Sequence, residues 1–388
     1  MLNGQEKKEL SPAEMTQYSR HLLLPEVGLE GQNLLKEARV LVVGAGGLGS
    51  PVIQYLAAAG VGTIGIIDDD TVDLSNLQRQ VLYKTDEVST SKVEKAALRI
   101  KDLNPHVNVE IHHCRLGEKN ALDIVNRYEL IIDGSDNFST RYLVNDACIL
   151  TGKPNVHGAI YRFEGQLTVL GYKGGPCYRC IFPEPPPPDA VPNCAEGGVL
   201  GVMAGVIGTL QATEAIKIIL SRGESLSGRL LVYDALEGTF LNLKIEKDEN
   251  CALCGKAPTI KEVREIAGFC LPGLIPEDES KFKSKSMTAL QLKNLLDSER
   301  RPVLLDVRTP QEVAICKIAG SCHIPLAELE ERMNELDSAE EIVVYCKSGV
   351  RSEKAALILE SAGFSKVSNL EGGIISWANS VDKNLTLY

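Results

Sequence analysis

The sequence predicts an α/β fold in two unequal units, and three observations predict it. Residues 39–70 run as apolar strand, glycine-rich turn, small-residue helix, apolar strand and acid. Two C-x-x-C pairs bracket a proline-rich crossover in the middle of the chain. After a polar, proline-bearing stretch a second strand–helix alternation starts, and one of its strands stops in CKSGVRS. A chain of 388 residues has room for two or three domains of ordinary size.

Charge and composition narrow the function classes. The net charge is −11 and no long basic stretch occurs, which argues against nucleic acid or an anionic membrane as partner. The run Gly197 to Thr213 is uncharged but glycine-rich and short for a membrane span, so a buried helix is expected there. The first ten residues are polar and charged, unlike a secretory signal, and a cytoplasmic chain is expected. Eleven cysteines in such a chain point to metal binding or thiol chemistry rather than a disulfide framework.

Residues 1–37 read as a charged, helix-prone lead-in, in which spacing alone makes Arg20 a solvated helix residue. Val40 to Val43 form a strand, and Gly44, Gly46, Gly47 and Gly49 a turn into a helix from about Leu48 to Ala59. Glycines let backbone approach a phosphate, and a helix N-terminus offers it free N–H groups. The next strand, Thr63 to Ile67, ends on Asp68, an acid suited to a ribose hydroxyl. This pattern fits ATP, NAD or FAD. Ser75, Asn76, Gln78, Arg79 and Gln80 follow as a polar cluster between apolar anchors such as Leu77, then Lys92 at the start of a helix; Arg79 and Lys92 suit the outer phosphates of a triphosphate. Further strands are expected at Val107 to Ile111 and Glu129 to Ile132, with a helix from Leu116 to Arg127 between them. The second ends in DGSDN, where Asp136 is placed to hold Mg²⁺ or to cap the helix Ser139 to Leu150, with Asn137 beside it.

Strands at Asn155 to Ile160 and Gln166 to Gly171 lead to Cys177 and Cys180; Cys251 and Cys254 form the second pair after strands at Leu230 to Tyr233 and Thr239 to Ile245. Together the four have the ligand set of a structural tetrahedral zinc site. The prolines between the pairs forbid helix and sheet interior, so a loop is expected there, carrying Cys194 as a nucleophile candidate. Residues 269–286 have linker composition. Beyond them come a helix Ala289 to Leu296, strands Val303 to Asp306 and Ile342 to Tyr345, and a helix or turn Pro325 to Leu336 between them. Cys346 sits at the end of the last strand and Arg351 opens the helix after it. A loop of this order turns N–H groups inward and, with Arg351, favours a thiolate or persulfide over a merely buried thiol.

GAGGLGSP, DLSNLQRQ, SDNFSTRYLVNDAC, both C-x-x-C pairs and NCAEGGV resemble the MoeB/ThiF family of ubiquitin-activating-like adenylyltransferases. LLDVRTPQEV, AGSCHIPL, YCKSGVRS and LEGGIISW resemble a single rhodanese domain, with Lys317 where many such domains have histidine. The resemblance implies a Rossmann-like ATP-binding adenylation domain with a zinc site at residues 1–268, a linker at 269–286 and a rhodanese domain at 287–388. It implies ATP, Mg²⁺ and Zn²⁺ as cofactors and, as partner, a ubiquitin-like sulfur carrier protein ending in Gly-Gly, used in making molybdopterin, thiamin or related sulfur compounds. Thiosulfate or a cysteine desulfurase would supply the sulfur. Gly47 and Asp68 would contact the nucleotide, Ser75 to Arg79 and Lys92 its phosphates, and Asp136 the Mg²⁺. Arg20 would reach the ATP site of the other subunit in a homodimer. Cys346 would carry the persulfide, and Cys194 would be a thioester or disulfide partner. The rival expectations are a dinucleotide oxidoreductase with a rhodanese tail, which the phosphate-type cations and the zinc pairs argue against, and a non-catalytic carrier-binding scaffold.

Overall fold

The computed structural model describes residues 9–186, 198–266, 284–298 and 301–387. The chain divides into two compact units, Met1–Cys270 and Leu271–Tyr388. The first is built on strands β1 (Arg39–Val43), β2 (Thr63–Ile67), β3 (Asn108–His112), β4 (Leu130–Asp133), β5 (Asn155–Tyr161), β6 (Glu164–Leu170), β7 (Arg229–Asp234) and β8 (Thr239–Lys244). They form one sheet in the order β3-β2-β1-β4-β5-β6-β7-β8. Pairing is parallel from β3 to β5 and antiparallel from β5 to β8.

The parallel strands are apolar throughout because helices cover both faces: every residue of β2 and β4 is buried. On one face helices Gly49–Ala59 and Gly201–Leu220 pack together over Val40, Val42, Ile64, Ile66 and Val156. On the other, Leu41, Val43 and Ile131 meet Ile124, Val125 and Val144. Gly201–Leu220 is the one helix, among the described residues, long and apolar enough to cross a membrane; here it lies against β5, β6 and helix Gly49–Ala59. The strand order reverses between β1 and β4, whose register pairs Val43 with Asp133. Open parallel sheets bind ligands at such a switch point, outside the carboxyl ends of the strands. The Gly44–Gly49 turn and the residues 134–137 therefore sit side by side.

The second unit holds strands β9 (Lys285–Met287), β10 (Val303–Asp306), β11 (Cys322–His323), β12 (Ile342–Tyr345) and β13 (Val367–Leu370), all parallel, in the order β11-β10-β12-β13-β9. Its two cores lie on opposite faces of that sheet: Leu305, Val344 and Leu359 on one, Leu304, Val343 and Trp377 on the other.

Three local expectations change. The helix expected over 116–127 is only Ala121–Val125. The Asn120 side chain accepts from Gly117 N and donates to Arg115 O, so a turn replaces the first helical residues. The helix after β4 runs from Phe138 to Thr151, and its N-cap is Asn137, which accepts from Thr140 N; Asp136 is left free of that role. Lys285 and Ser286, polar enough to read as linker, pair as edge strand β9 with β13. Ser284 is buried there and donates twice to Glu353.

Candidate functional site

β1 delivers the chain into a turn that side chains would block. Gly44 has φ +89°, and a Cβ on Gly49 would lie 2.0 Å from the Gly44 carbonyl oxygen. Asp68, at the end of β2, holds this turn from the side: its Oδ2 accepts from Ala45 N at 2.8 Å and its Oδ1 from Asp70 N at 2.8 Å. Burial lifts its carboxyl above the ordinary value, against the pull of Lys92 and these two N–H bonds. Tyr83 holds the turn from beneath, its hydroxyl donating to Ala45 O at 2.6 Å. Gly46 and Gly47 are half-buried, and their N–H groups meet no acceptor among the described residues.

The candidate phosphate ligands gather around this turn. Arg79 lies along Gly47, where a Cβ would be 3.6 Å from its Cγ, and its guanidinium donates to Ser75 O at 3.2 Å. Ser75 donates from N and Oγ to Asp73, and Asn76 Nδ2 donates to Ser75 Oγ. Leu77 anchors the segment in the core, and Gln78 is exposed above Gly201. Lys92 is buried and its Nζ lies 2.9 Å from Asp70 Oδ2. Asp136 is exposed and without a partner among the described residues, and Arg20 is exposed on the short helix Ser19–Leu22. Sequence reasoning missed Tyr83; Gln80, expected only as part of the polar cluster, is a buried side chain whose Oε1 has no hydrogen-bond partner and whose Nε2 lies 3.5 Å from a Cβ built on Gly46.

The two C-x-x-C pairs converge. Cys177 Sγ lies 3.9 Å from Cys180 Sγ and 3.6 Å from Cys251 Sγ, and Cys180 Sγ lies 3.4 Å from Cys254 Sγ. All four sulfurs fall within 4.8 Å of one another. Burial and then neighbouring thiols push the Cys177 thiol up; burial and the bond with Cys180 push that of Cys254 to about 12. Against burial, the backbone N–H groups of Cys254 and Leu253 lower the Cys251 thiol, and the donor set of four close sulfurs fits a tetrahedral dication. Cys194 lies outside the described residues.

In the second unit Cys346 follows β12 directly and is fully buried. Its Sγ accepts from Gly349 N at 3.1 Å, a contact made possible by Gly349 at φ +97°. Ser352 Oγ stands 3.4 Å from the sulfur and 2.7 Å from Asn369 Oδ1. The carbonyl of Cys346 accepts from Ile374 N, which ties the loop to helix Gly373–Ser380. Arg351 stands in the first turn of helix Val350–Ser361. Its guanidinium forms a two-pronged pair with Glu312 at 2.7 and 2.6 Å, and the side-chain hydroxyl at the sulfur is that of Ser352. Glu312 is held in turn by Thr309 in a capping box, so the pair is anchored on a helix start.

Fold and sites together define a two-unit α/β enzyme, with a phosphate-type glycine loop and a four-thiol knuckle in one unit and a buried cysteine loop in the other. The chain belongs to the ThiF family, which matches residues 18–253, and carries a rhodanese-like domain at residues 288–380. It is 47% identical over 386 residues to the probable adenylyltransferase/sulfurtransferase MoeZ of Mycobacterium tuberculosis, covering 98% of this chain and 96% of that one. It is 44% identical over 413 residues to adenylyltransferase and sulfurtransferase MOCS3 of Sus scrofa, covering 98% and 89%. Among solved structures it resembles E. coli MccB with ATP at a TM-score of 0.54 and 22% identity, over 61% of this chain and 74% of that one. MccB in complex with N-formylated MccA gives 0.56 and 22%, over 62% and 75%. These two likenesses show the fold of the first unit.

Proposed function

We propose that this protein adenylates the C-terminal glycine of a ubiquitin-like sulfur carrier protein and then sulfurates it from a Cys346 persulfide. The observation that carries this reading is the presence in one chain of both an open glycine loop at the β1/β4 switch point and a buried cysteine loop. Relatives with the same two parts over nearly the whole length are named adenylyltransferase and sulfurtransferase. That also disfavours a dinucleotide oxidoreductase or an inert scaffold.

ATP would lie with its phosphates on the open N–H groups of Gly46 and Gly47, which act as a preformed anion nest. Arg79 and Lys92 offset the phosphate charge, Lys92 exchanging its Asp70 partner for phosphate. Asp68 keeps lone pairs for the ribose, Ser75 to Arg79 and Asn137 line the remaining wall, and Arg20 serves the other subunit of a homodimer. Asp136 would hold Mg²⁺, which supplies charge neutralisation at the triphosphate. Cys177, Cys180, Cys251 and Cys254 would hold Zn²⁺ as a structural tie.

A carboxylate is a poor acyl donor. Its oxygen attacks the α-phosphorus, the bond to the bridging oxygen breaks, and pyrophosphate leaves. The terminal sulfur of the Cys346 persulfide then attacks the acyl carbon, and AMP leaves with the oxygen. The acyl disulfide is resolved when the Cys194 thiolate attacks the Cys346 sulfur, freeing the thiocarboxylate; an external thiol reduces the resulting disulfide. Thiosulfate or a cysteine desulfurase reloads Cys346, and the cytoplasm supplies the reducing setting. The test is carrier-dependent exchange of pyrophosphate into ATP, followed by mass spectrometry of the carrier for replacement of oxygen by sulfur. Exchange without carrier, or none at all, overturns the reading.

A further inference from the structure

We infer that Tyr83 is a positioning residue that sets the direction of the Gly46 N–H in the glycine loop. The inference rests on the reading of that loop as an ATP site and adds a residue outside the loop that shapes it. Tyr83 is 7% exposed and sits in the core beneath the loop with Val42, Ala45 and Val93. Its hydroxyl donates to the Ala45 carbonyl at 2.6 Å, and Asp68 accepts the Ala45 N–H at 2.8 Å. A trans peptide is planar, with its C=O and N–H pointing in opposite directions. Holding the Ala45 carbonyl down toward Tyr83 therefore turns the N–H of the same peptide, that of Gly46, away from the core. Asp68 fixes the preceding peptide plane, so both sides of Ala45 are set. The Gly46 N–H meets no acceptor among the described residues, and Gly46 is half-buried while Ala45 is fully buried. The donor left open is thus the one the clamp orients outward.

The phenol stays a donor across the working range of pH. Burial, and then the negative charge of Asp68, push its ionisation far upward. Removing the hydroxyl leaves the Ala45 carbonyl buried with no donor, and the peptide relaxes by rotating toward water, which carries the Gly46 N–H with it.

The test is Tyr83→Phe in the full chain. ATP binding is measured by calorimetry, the KM for ATP and for the carrier by pyrophosphate exchange, and hydrogen exchange by mass spectrometry on the peptide spanning the loop. The expected result is a rise of about tenfold in the Kd and KM for ATP, the equivalent of one buried hydrogen bond. The KM for the carrier and thiosulfate-to-cyanide sulfur transfer stay at wild-type values, and loop amides exchange faster without nucleotide. A fall in melting temperature with ATP affinity and loop exchange unchanged would make Tyr83 merely structural and overturn the inference. Failure of the wild-type chain to bind ATP overturns the reading of the site itself, and this inference with it.

Discussion

Ser352 and Arg351 are neighbours in sequence with different duties. The Ser352 hydroxyl lies between the Cys346 sulfur and Asn369, while Arg351 closes on Glu312. A hydroxyl bond to a charged sulfur is worth about 1.5–3 kcal/mol. Ser352→Ala should therefore slow thiosulfate-to-cyanide transfer by about tenfold or more. A variant with unchanged rate would show that the hydroxyl serves Asn369 alone. Asp136 is exposed, is not the helix cap and has no partner among the described residues, so Asp136→Ala should leave the melting temperature in place and abolish pyrophosphate exchange. Asp68 adds a pH dependence. Burial lifts its carboxyl above the ordinary value, and its protonation weakens an acceptor that Ala45 N–H uses and that the proposed ribose contact would share. ATP affinity should hold at neutral pH and fall as pH drops through that raised value, a dependence that Asp68→Asn should flatten.

At the scale of the element, the glycine turn is fixed by backbone contact and the knuckle by sulfur. A Cβ at Gly49 meets the Gly44 carbonyl oxygen, which no rotamer change relieves. Gly49→Ala should cost about 1–3 kcal/mol or more of stability in the first unit and abolish ATP binding. Sulfur transfer at Cys346, in another core, should persist in the same protein. The knuckle joins the helix start at Tyr178 to residues 251–254, its sulfurs packed with Leu253, Ile149 and Ile260. Elemental analysis should find about one zinc per chain. Cys177→Ser should lower the melting temperature more than it lowers exchange activity in the protein that stays folded, because a structural metal contributes to folding directly.

The described residues form two sheets with separate cores, and these make the two chemistries separable. Calorimetry should resolve two unfolding transitions, and chelation of the metal should lower only one of them. Cys346→Ala should keep carrier-dependent pyrophosphate exchange and lose sulfur transfer, and Asp136→Ala should show the reverse. Loss of both activities in either variant would mean that the sites are not independent. The boundary between the units is proposed at residues 269–283, since β9 claims Lys285.

By itself the sequence determined the elements whose cause is local. A run such as Val303 to Asp306 or Ile342 to Tyr345 is apolar because both faces are covered, and both strands appear at those limits. Glycine spacing announced the Gly44–Gly49 turn because only a residue without Cβ fits there. Cysteine spacing announced the knuckle because each C-x-x-C supplies two sulfurs from one turn. Tertiary structure alone decided the partners. Tyr83 and Ala45 are 38 residues apart, and Arg351 and Glu312 are 39 apart; no periodicity links either pair. It also decided that β1 lies beside β4, which puts Gly134 and Ser135 against Gly44 of the glycine turn, because strand neighbours follow from how helices cover the sheet and not from chain order. Even the start of a helix was set by side-chain bonds, two at Asn120 that replace the first turn and one at Asn137 that caps the helix after β4, whose direction is fixed only once the backbone is in place.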